Sequence, residues 1–310
     1  MVIASLRRKR DRLRHYYVHM SAGIITPFEF FLGAIGQILG LVGIKENLIQ
    51  SAILRRKRKM CLTLDCYVLK DVRIPLLEAR EEMSFLFGVL EDTFYSYLYL
   101  EDNYDVNDVG FIDELMPEGF YIYSDRTRGI DLNLRPGDVV IDAGAWIGDF
   151  SAYASACGAR AYAFEPVLKT FEILRETARL NKNIIPVSMG LGAQKEELTI
   201  FVDERDITSA SISSHDNLAK PEKAYITTLD DFVEENKLER VDFIKADIEG
   251  HERFMLQGAK NVLKQFGPRL AICTYHLPDD PQVLENTIKE INPAYEVIQR
   301  RKKLYAYIPQ

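Results

Sequence analysis

The chain is poor in cysteine, and the four it has (Cys61, Cys66, Cys157 and Cys273) lack the spacing of metal ligands, since Cys61-x4-Cys66 has no second pair to answer it. A disulfide framework and a structural zinc site are excluded on that ground, and the thiols read as reduced, in a cytoplasmic setting. Internal repeats and low-complexity tracts are absent too, so no solenoid explains the 310 residues. Positive charge is scarce over most of the length. Residues 1–60 take 12 of the 39 Lys+Arg and only 3 of the 46 Asp+Glu, leaving 27 bases against 43 acids in the rest. An acidic body of that kind argues against nucleic acid as a partner, because phosphate neutralisation dominates such affinities. No clean bilayer span is present either. The run from Ile24 to Ile44 is interrupted by Pro27, Glu29, Gln37 and four glycines. No small-residue cleavage site follows it, so a cleaved signal peptide is not expected.

Two basic clusters, Arg7–Arg10 with Arg12 and Arg14, and Arg55–Lys59, bracket that run. Residues 1–60 therefore read as a helical, basic and apolar extension. It either packs on the rest of the chain or, through residues 7–59, touches an anionic membrane surface. Residues 61–135 read as a second region. A short hairpin is expected over 62–76, followed by an acidic, aromatic stretch between Glu78 and Glu118 that suits a helical cap better than a sugar-stacking surface.

The most informative stretch is Val139-Val-Ile-Asp142-Ala-Gly144-Ala-Trp146-Ile-Gly148-Asp149. A wholly apolar run that ends in two spaced glycines, with an amphipathic segment directly behind, predicts a buried parallel strand turning tightly into a helix. The G-x-G-x-x-G spacing of dinucleotide sites is missing, and Trp146 would crowd a pyrophosphate. A nucleoside with an uncharged linker, such as S-adenosylmethionine, fits the turn better. A second strand, Arg160 to Phe164, ends in Glu165, about 20 residues beyond the turn, where a carboxylate can accept both ribose hydroxyls. The alternative for Glu165 is a cap on the following helix.

Strands are expected at 138–142, 160–164, 184–188, 242–246 and 269–275, and helices near 149–157, 167–181, 229–236, 251–264 and 281–291. Two last strands, 295–299 and 303–308, form an antiparallel hairpin. Short joints between alternating strands and helices predict an α/β, doubly wound, mostly parallel sheet over residues 136–310. Charged residues then crowd the carboxyl end of the fourth core strand: Lys245, Asp247, Glu249, His251 and Glu252. Tyr275 and His276 stand at the end of the fifth. In open α/β sheets that edge is the ligand crevice, so Lys245, Asp247, Glu249 and His276 are expected to face one cleft.

These segments, together with Thr227-Thr-Leu-Asp230 and Ile244-Lys-Ala-Asp-Ile-Glu-Gly-His-Glu252, resemble the FkbM-type methyltransferases. The resemblance covers roughly residues 136–300; Trp146 departs from it, standing where that family usually carries Asn or His. It implies a class I, Rossmann-like seven-stranded sheet and methyl transfer from S-adenosylmethionine to a hydroxyl of a sugar, glycan, glycolipid or related metabolite. Asp142 and Gly144 would then line the methionine side of the cofactor and Glu165 the ribose, with Ala145, Trp146, Gly148 and Pro166 also at the cofactor. Ser188 falls at the adenine, and Asp247 faces both cofactor and acceptor. His276 is the first choice of base and Asp247 the second. Lys245 either steers an acceptor or pairs with Glu249. Glu249, His251 and Tyr275 are expected at the acceptor. Asp247, Glu249 and His276 carry metal-ligand chemistry, but their spacing does not demand an ion and none is expected. The competing class is a catalytically silent relative that binds partners at a membrane.

Overall fold

The computed structural model describes residues 61–62, 66–69, 72–75, 124–125, 128–202, 210–211, 220–300 and 302–309. The expected extension over 1–60 and the acidic, aromatic stretch of 78–118 lie outside the described residues. Where one hairpin was expected, the chain forms a three-stranded meander, β1 (Cys61–Leu62), β2 (Cys66–Leu69) and β3 (Val72–Pro75). Its buried Val72 and Ile74 join the main core, and Asn181 clasps it by hydrogen-bonding both backbone groups of Arg73. A two-stranded ladder follows, β4 (Ser124–Asp125) with β5 (Ile130–Asp131).

The turn Arg135-Pro-Gly-Asp138 delivers the first core strand. Asp138 accepts the Arg135 N–H at 2.7 Å and also receives the guanidinium of Arg269. Strand β6 (Val139–Ala143) then passes through the glycine turn into α1 (Asp149–Ala156). The pattern continues through β7 (Arg160–Phe164), α2 (Leu168–Leu180) and β8 (Ile184–Val187). An inserted set comes next: β9 (Gly190–Leu191), β10 (Glu196–Val202), β11 (Ala210–Ser211) and β12 (Lys220–Thr227). The alternation resumes with α3 (Leu229–Glu235), β13 (Phe243–Ala246), α4 (Glu252–Gln257), α5 (Lys260–Gln265), β14 (Arg269–Cys273) and α6 (Asp280–Ile291). Strands β15 (Glu296–Arg300) and β16 (Lys303–Tyr307) close the chain.

Seven strands make the main sheet in the order β15-β16-β14-β13-β6-β7-β8. Those from β14 to β8 are mutually parallel, and the hairpin β15–β16 joins antiparallel to β14, as expected. Both faces are covered, which is why the central strands are apolar throughout. Val140, Ala161 and Phe243 pack toward α1, α2 and the meander, whereas Ile141, Ile244 and Ile272 pack toward α3 to α6. Strand order reverses between β6 and β13, which places the crevice of such a sheet at their carboxyl ends.

Two expectations need correction. The joint between the third core strand and its helix is not short: it holds a four-stranded sheet, β11-β10-β12-β9. The helix expected over 251–264 is two helices. At the break, a side chain on Gly258 would lie 2.0 Å from the Gly192 carbonyl oxygen, so the backbones touch there. Asp230 caps the second helix by accepting the N–H groups of Asn261 and Val262, both at 2.9 Å. Among the described residues no helix is long and apolar enough to cross a membrane.

Candidate active site

The glycine turn is held from below by a buried ion pair. Lys245 and Asp142 are register partners on adjacent parallel strands, so their side chains leave the sheet on one face. Both are buried, with Nζ 3.0 Å from Asp142 Oδ1. The ammonium also donates to the carbonyls of Gly144 (2.5 Å) and Ala143 (3.3 Å), while Asp142 Oδ2 accepts the Ser151 hydroxyl at 2.7 Å. Burial alone would lower the Lys245 pKa, but the carboxylates of Asp142, Asp247 and Asp149 outweigh it and hold the group charged. Lys245 therefore points inward and pairs with Asp142. Asp142, fully buried, supports the turn rather than lining the cleft.

The turn itself is conformationally demanding. Gly144 has φ 72° and Gly148 φ 86°, and a side chain on Gly144 would meet the Asp247 carbonyl oxygen at 2.0 Å. Trp146 adopts φ 51°, a costly backbone for a bulky residue. Its N–H donates to Glu165 Oε2 at 2.9 Å, which holds it there. The helix starts with Gly148 as its N-cap, and Asp149 is the first helical residue and half-buried. Burial pushes Asp149 up to about 6, opposed by Lys245.

Glu165 sits where the spacing put it, at the end of β7, but it is already occupied. Oε1 accepts the Val167 N–H (3.0 Å) and the Thr170 hydroxyl (2.9 Å), and Oε2 accepts Trp146. Of a carboxylate's roughly four acceptor positions, about one is left. Burial raises the Glu165 pKa to about 7 despite these donors. The expectation of a cap on the following helix is met in the contacts to Val167 and Thr170. Beyond it Pro166 is half-buried, and Leu168 is exposed. At the end of β8, Ser188 and Met189 are also exposed, while Ala145 is buried under the turn.

At the ends of β13 and β14 the structure brings together Asp247, Glu249, Glu252, Tyr275 and His276. The Tyr275 hydroxyl donates to Asp247 Oδ1 at 3.1 Å, and its ring lies 4.2 Å from the imidazole. The His276 side chain is 8% exposed with both ring nitrogens buried, Nε2 lying 3.4 Å from Asp247 Oδ1 and 3.8 Å from Glu249 Oε2. Nδ1 lies 2.9 Å from Oε1 of the fully buried Glu252, within ion-pair distance though off the line of an N–H···O bond. Burial pulls the imidazole pKa down, but Glu252, Asp247 and Glu249 together raise it. Burial beside Asp247 also raises Tyr275, keeping it a hydroxyl donor. Glu249 has φ 54°, a second left-handed non-glycine residue at the cleft. His251 turns elsewhere. Its ring stacks on Phe254 at 4.8 Å beside Gly192, and burial lowers its pKa.

Glu252 carried no role in the sequence reading, although the motif contained it; a charged residue three places after a strand-end acid is ordinarily a solvated helix face. One divalent ion could draw on Asp247, Glu252 and His276, whose ligand atoms lie within 4.8 Å of one another, with Glu252 in the place assigned to Glu249. One imidazole and two carboxylates suit Mn²⁺ or Zn²⁺ chemistry.

Comparison with known proteins places this geometry in context. Residues 142–297 match the methyltransferase FkbM domain. The hexuronic acid methyltransferase AglP of Haloferax volcanii is 26% identical over 165 residues, which cover 52% of this chain and 65% of AglP. The crystal structure of methyltransferase FkbM from Methylobacillus flagellatus KT is 21% identical, with a TM-score of 0.44 over 71% of this chain and 60% of that one. The fibrillarin of Aeropyrum pernix, solved with natively bound S-adenosyl-L-methionine, is 15% identical, with a TM-score of 0.36 over 57% of this chain and 69% of that one. The chain thus spans a little under two thirds of the length of AglP and of the M. flagellatus protein.

Proposed function

This chain belongs to the FkbM methyltransferase domain family, and from that premise we propose that it transfers a methyl group from S-adenosylmethionine to a hydroxyl oxygen of a sugar or glycan. The observation that carries the reading is the pair Asp247 and His276, 3.4 Å apart, beside the glycine turn whose Gly144 abuts the Asp247 backbone. The AglP relative, named for a hexuronic acid, supports a sugar as the acceptor.

The residues present fit the cofactor. Glu165 keeps about one acceptor position for a ribose hydroxyl. Leu168 and Met189, exposed at successive strand ends, offer apolar surface to a purine, with Pro166 and Ser188 beside them. The half-buried carboxylate of Asp149 stands at the turn and would face the cation of a bound methionine moiety. Bound S-adenosylmethionine supplies an already activated methyl group. The chain's own task is to hold an acceptor oxygen in line, exclude water and take one proton. Tyr275 and Asp247 orient the acceptor hydroxyl, with Glu249 at the rim. The methyl group would come from bound S-adenosylmethionine, and the acceptor's hydroxyl proton would be taken by His276.

Calorimetric titration with S-adenosylhomocysteine, beside NAD as a control, tests the reading. Micromolar binding of the former alone is expected. Glu165→Ala should weaken it by roughly 1.5–3 kcal/mol, the worth of a charge-assisted hydrogen bond. A folded protein that binds neither would favour the silent, partner-binding alternative.

A further inference from the structure

We propose that Asp247, Glu252 and His276 bind one divalent first-row metal ion, Mn²⁺ or Zn²⁺, with a coordination position left open toward the acceptor. The geometry stands apart from the methyl-transfer reading, and only its consequence for turnover rests on it. The three side chains come from three elements that meet at the carboxyl edge of the sheet: Asp247 from the end of β13, Glu252 from the first turn of α4 and His276 from the end of β14. One ligand atom from each lies within 4.8 Å of the others. Ligands about 2.0–2.2 Å from one ion stand closer together than that, so small side-chain rotations complete the shell. An acidic cluster alone says little. What points to a ligand here is a set of buried polar atoms without hydrogen bonds. Glu252 is fully buried; its Oε1 accepts the Ile248 N–H at 2.9 Å, which fixes the carboxylate, and its Oε2 has no hydrogen-bond partner among the described residues. The His276 side chain is nine-tenths buried, and neither of its ring nitrogens makes a hydrogen bond among them. Buried polar atoms in that state are rare and costly, and one ion satisfies several at once.

The misalignment of the pair carries the same message. Nδ1 is 2.9 Å from Glu252 Oε1, yet a ring N–H would not point at that oxygen. Groups so close and so misaligned converge on a third centre and not on each other; two ligands about 2.1 Å from an ion, at right angles, are about 3 Å apart. Carboxylates flank both sides of the ring. It can therefore give one nitrogen to the ion and donate from the other, as ligating histidines ordinarily do. Charge agrees. Asp247, Glu249 and Glu252 set three carboxylates around one imidazole. The cations nearby have partners of their own: Lys245 holds Asp142, Arg253 holds Asp279 and Asp280 at 2.8 and 2.6 Å, and Lys302 lies 5.0 Å from the centre of the Tyr275 ring. A divalent ion offsets the surplus. The side chains of Asp247 and Glu249 are 22% and 44% exposed, which gives an ion an entry path from the cleft. An imidazole among carboxylates favours Mn²⁺ or Zn²⁺ over Mg²⁺ and Ca²⁺, which take oxygen ligands. Three protein ligands leave a position open, as in metal sites that receive a substrate oxygen.

The test is Mn²⁺ binding to the full-length chain, first stripped with a chelator, in the absence of cofactor and acceptor. Electron paramagnetic resonance of the free ion should reveal one saturable site per chain, and spin-echo modulation should show one coordinated imidazole nitrogen. Zn²⁺, the stronger binder of the two in such sites, should displace Mn²⁺ from it. Glu252→Gln and His276→Ala should each weaken the site by about 100-fold or more, at the upper end of what loss of an outer partner costs, and His276→Ala should abolish the modulation. Absence of a saturable site, or a bound ion without an imidazole nitrogen, overturns the proposal in the unaltered protein, so a variant that fails to fold does not shelter it. Unchanged affinity in a folded Glu252→Gln overturns it as well. In turnover, an ion on His276 engages the lone pair that would take the acceptor's proton, so loading must change the rate. Mn²⁺ that restores a chelated enzyme supports the site and makes His276 a ligand in the working form; Mn²⁺ that inhibits supports the site and leaves His276 the base of the ion-free form. A rate indifferent to saturating Mn²⁺ overturns the site. Ion binding by a chain that does not bind S-adenosylhomocysteine would count against methyl transfer and not against the site.

Discussion

Removing one member of a buried ion pair leaves the other charged and without solvent, and that asymmetry separates two roles for Lys245. In Lys245→Met the Asp142 carboxylate keeps only the Ser151 hydroxyl and the Gly144 carbonyl loses its donor, while the Ala143 carbonyl keeps the Asp247 N–H. The expected cost is about 3–5 kcal/mol of stability, read from urea unfolding. A variant that unfolds like the parent yet no longer turns over would instead put Lys245 at the chemistry. Glu165 offers a second test at the same scale. Its pKa is about 7 in the folded chain against 4.5 for an ordinary glutamate, so the folded state binds the proton more tightly. Its contribution to stability is therefore full below about 4.5 and is lost as pH rises through about 7. Ribose hydroxyls donate best to the ionised form. Cofactor binding should accordingly release a proton near neutral pH and strengthen from pH 6 to pH 8. Calorimetry in two buffers of different ionisation enthalpy measures that proton directly, and a release of zero would mean that the ribose does not reach Glu165.

At the scale of elements, the seven strands of the main sheet lie within one residue of where apolar runs put them, except β14, whose carboxyl end stops two residues short, at Cys273. Burial on both faces leaves an unmistakable run, and the run stops where the crevice begins. The inserted sheet was not legible for the opposite reason. Its strands β10 and β12 carry Glu196, Glu197, Lys220, Glu222, Lys223 and a proline, a pattern that reads as loop. They pair with each other, including an exposed Lys223–Glu197 contact, and bury one face, Ile200, Val202, Ala224 and Ile226, in a small cluster apart from the main sheet. Helix α4 stops at Gly258 because another backbone, Gly192, lies against it, and contact between distant segments has no local signature. The inward turn of Lys245 had a signal that went unused. A lysine and an aspartate inside otherwise apolar strands must be paired if both are buried, and adjacent strands bring them level. Glu252 had none, since its burial depends on the β14 loop folding over it.

The charge of the whole molecule is divided, with a surplus of 9 positive charges in residues 1–60 and a deficit of 16 in the rest. An anionic surface would attract the first and repel the second, so any contact would hold the acidic body away from the lipid. Each Lys or Arg near such a surface contributes about 1 kcal/mol, and the five bases from Arg55 to Lys59 make a dense element. The full chain is therefore expected to sediment with vesicles rich in phosphatidylserine at low salt and not with neutral phosphatidylcholine vesicles. Attraction of this kind fades once the screening length falls to a few ångströms, so roughly 0.5 M salt should release the protein. Replacing Arg55 to Lys59 with glutamine should weaken retention at low salt without altering S-adenosylhomocysteine affinity, because the site described is built from residues 142–276. Retention that survives high salt would transfer the role from the two basic clusters to the apolar run of residues 24–44, whose burial in lipid is insensitive to screening.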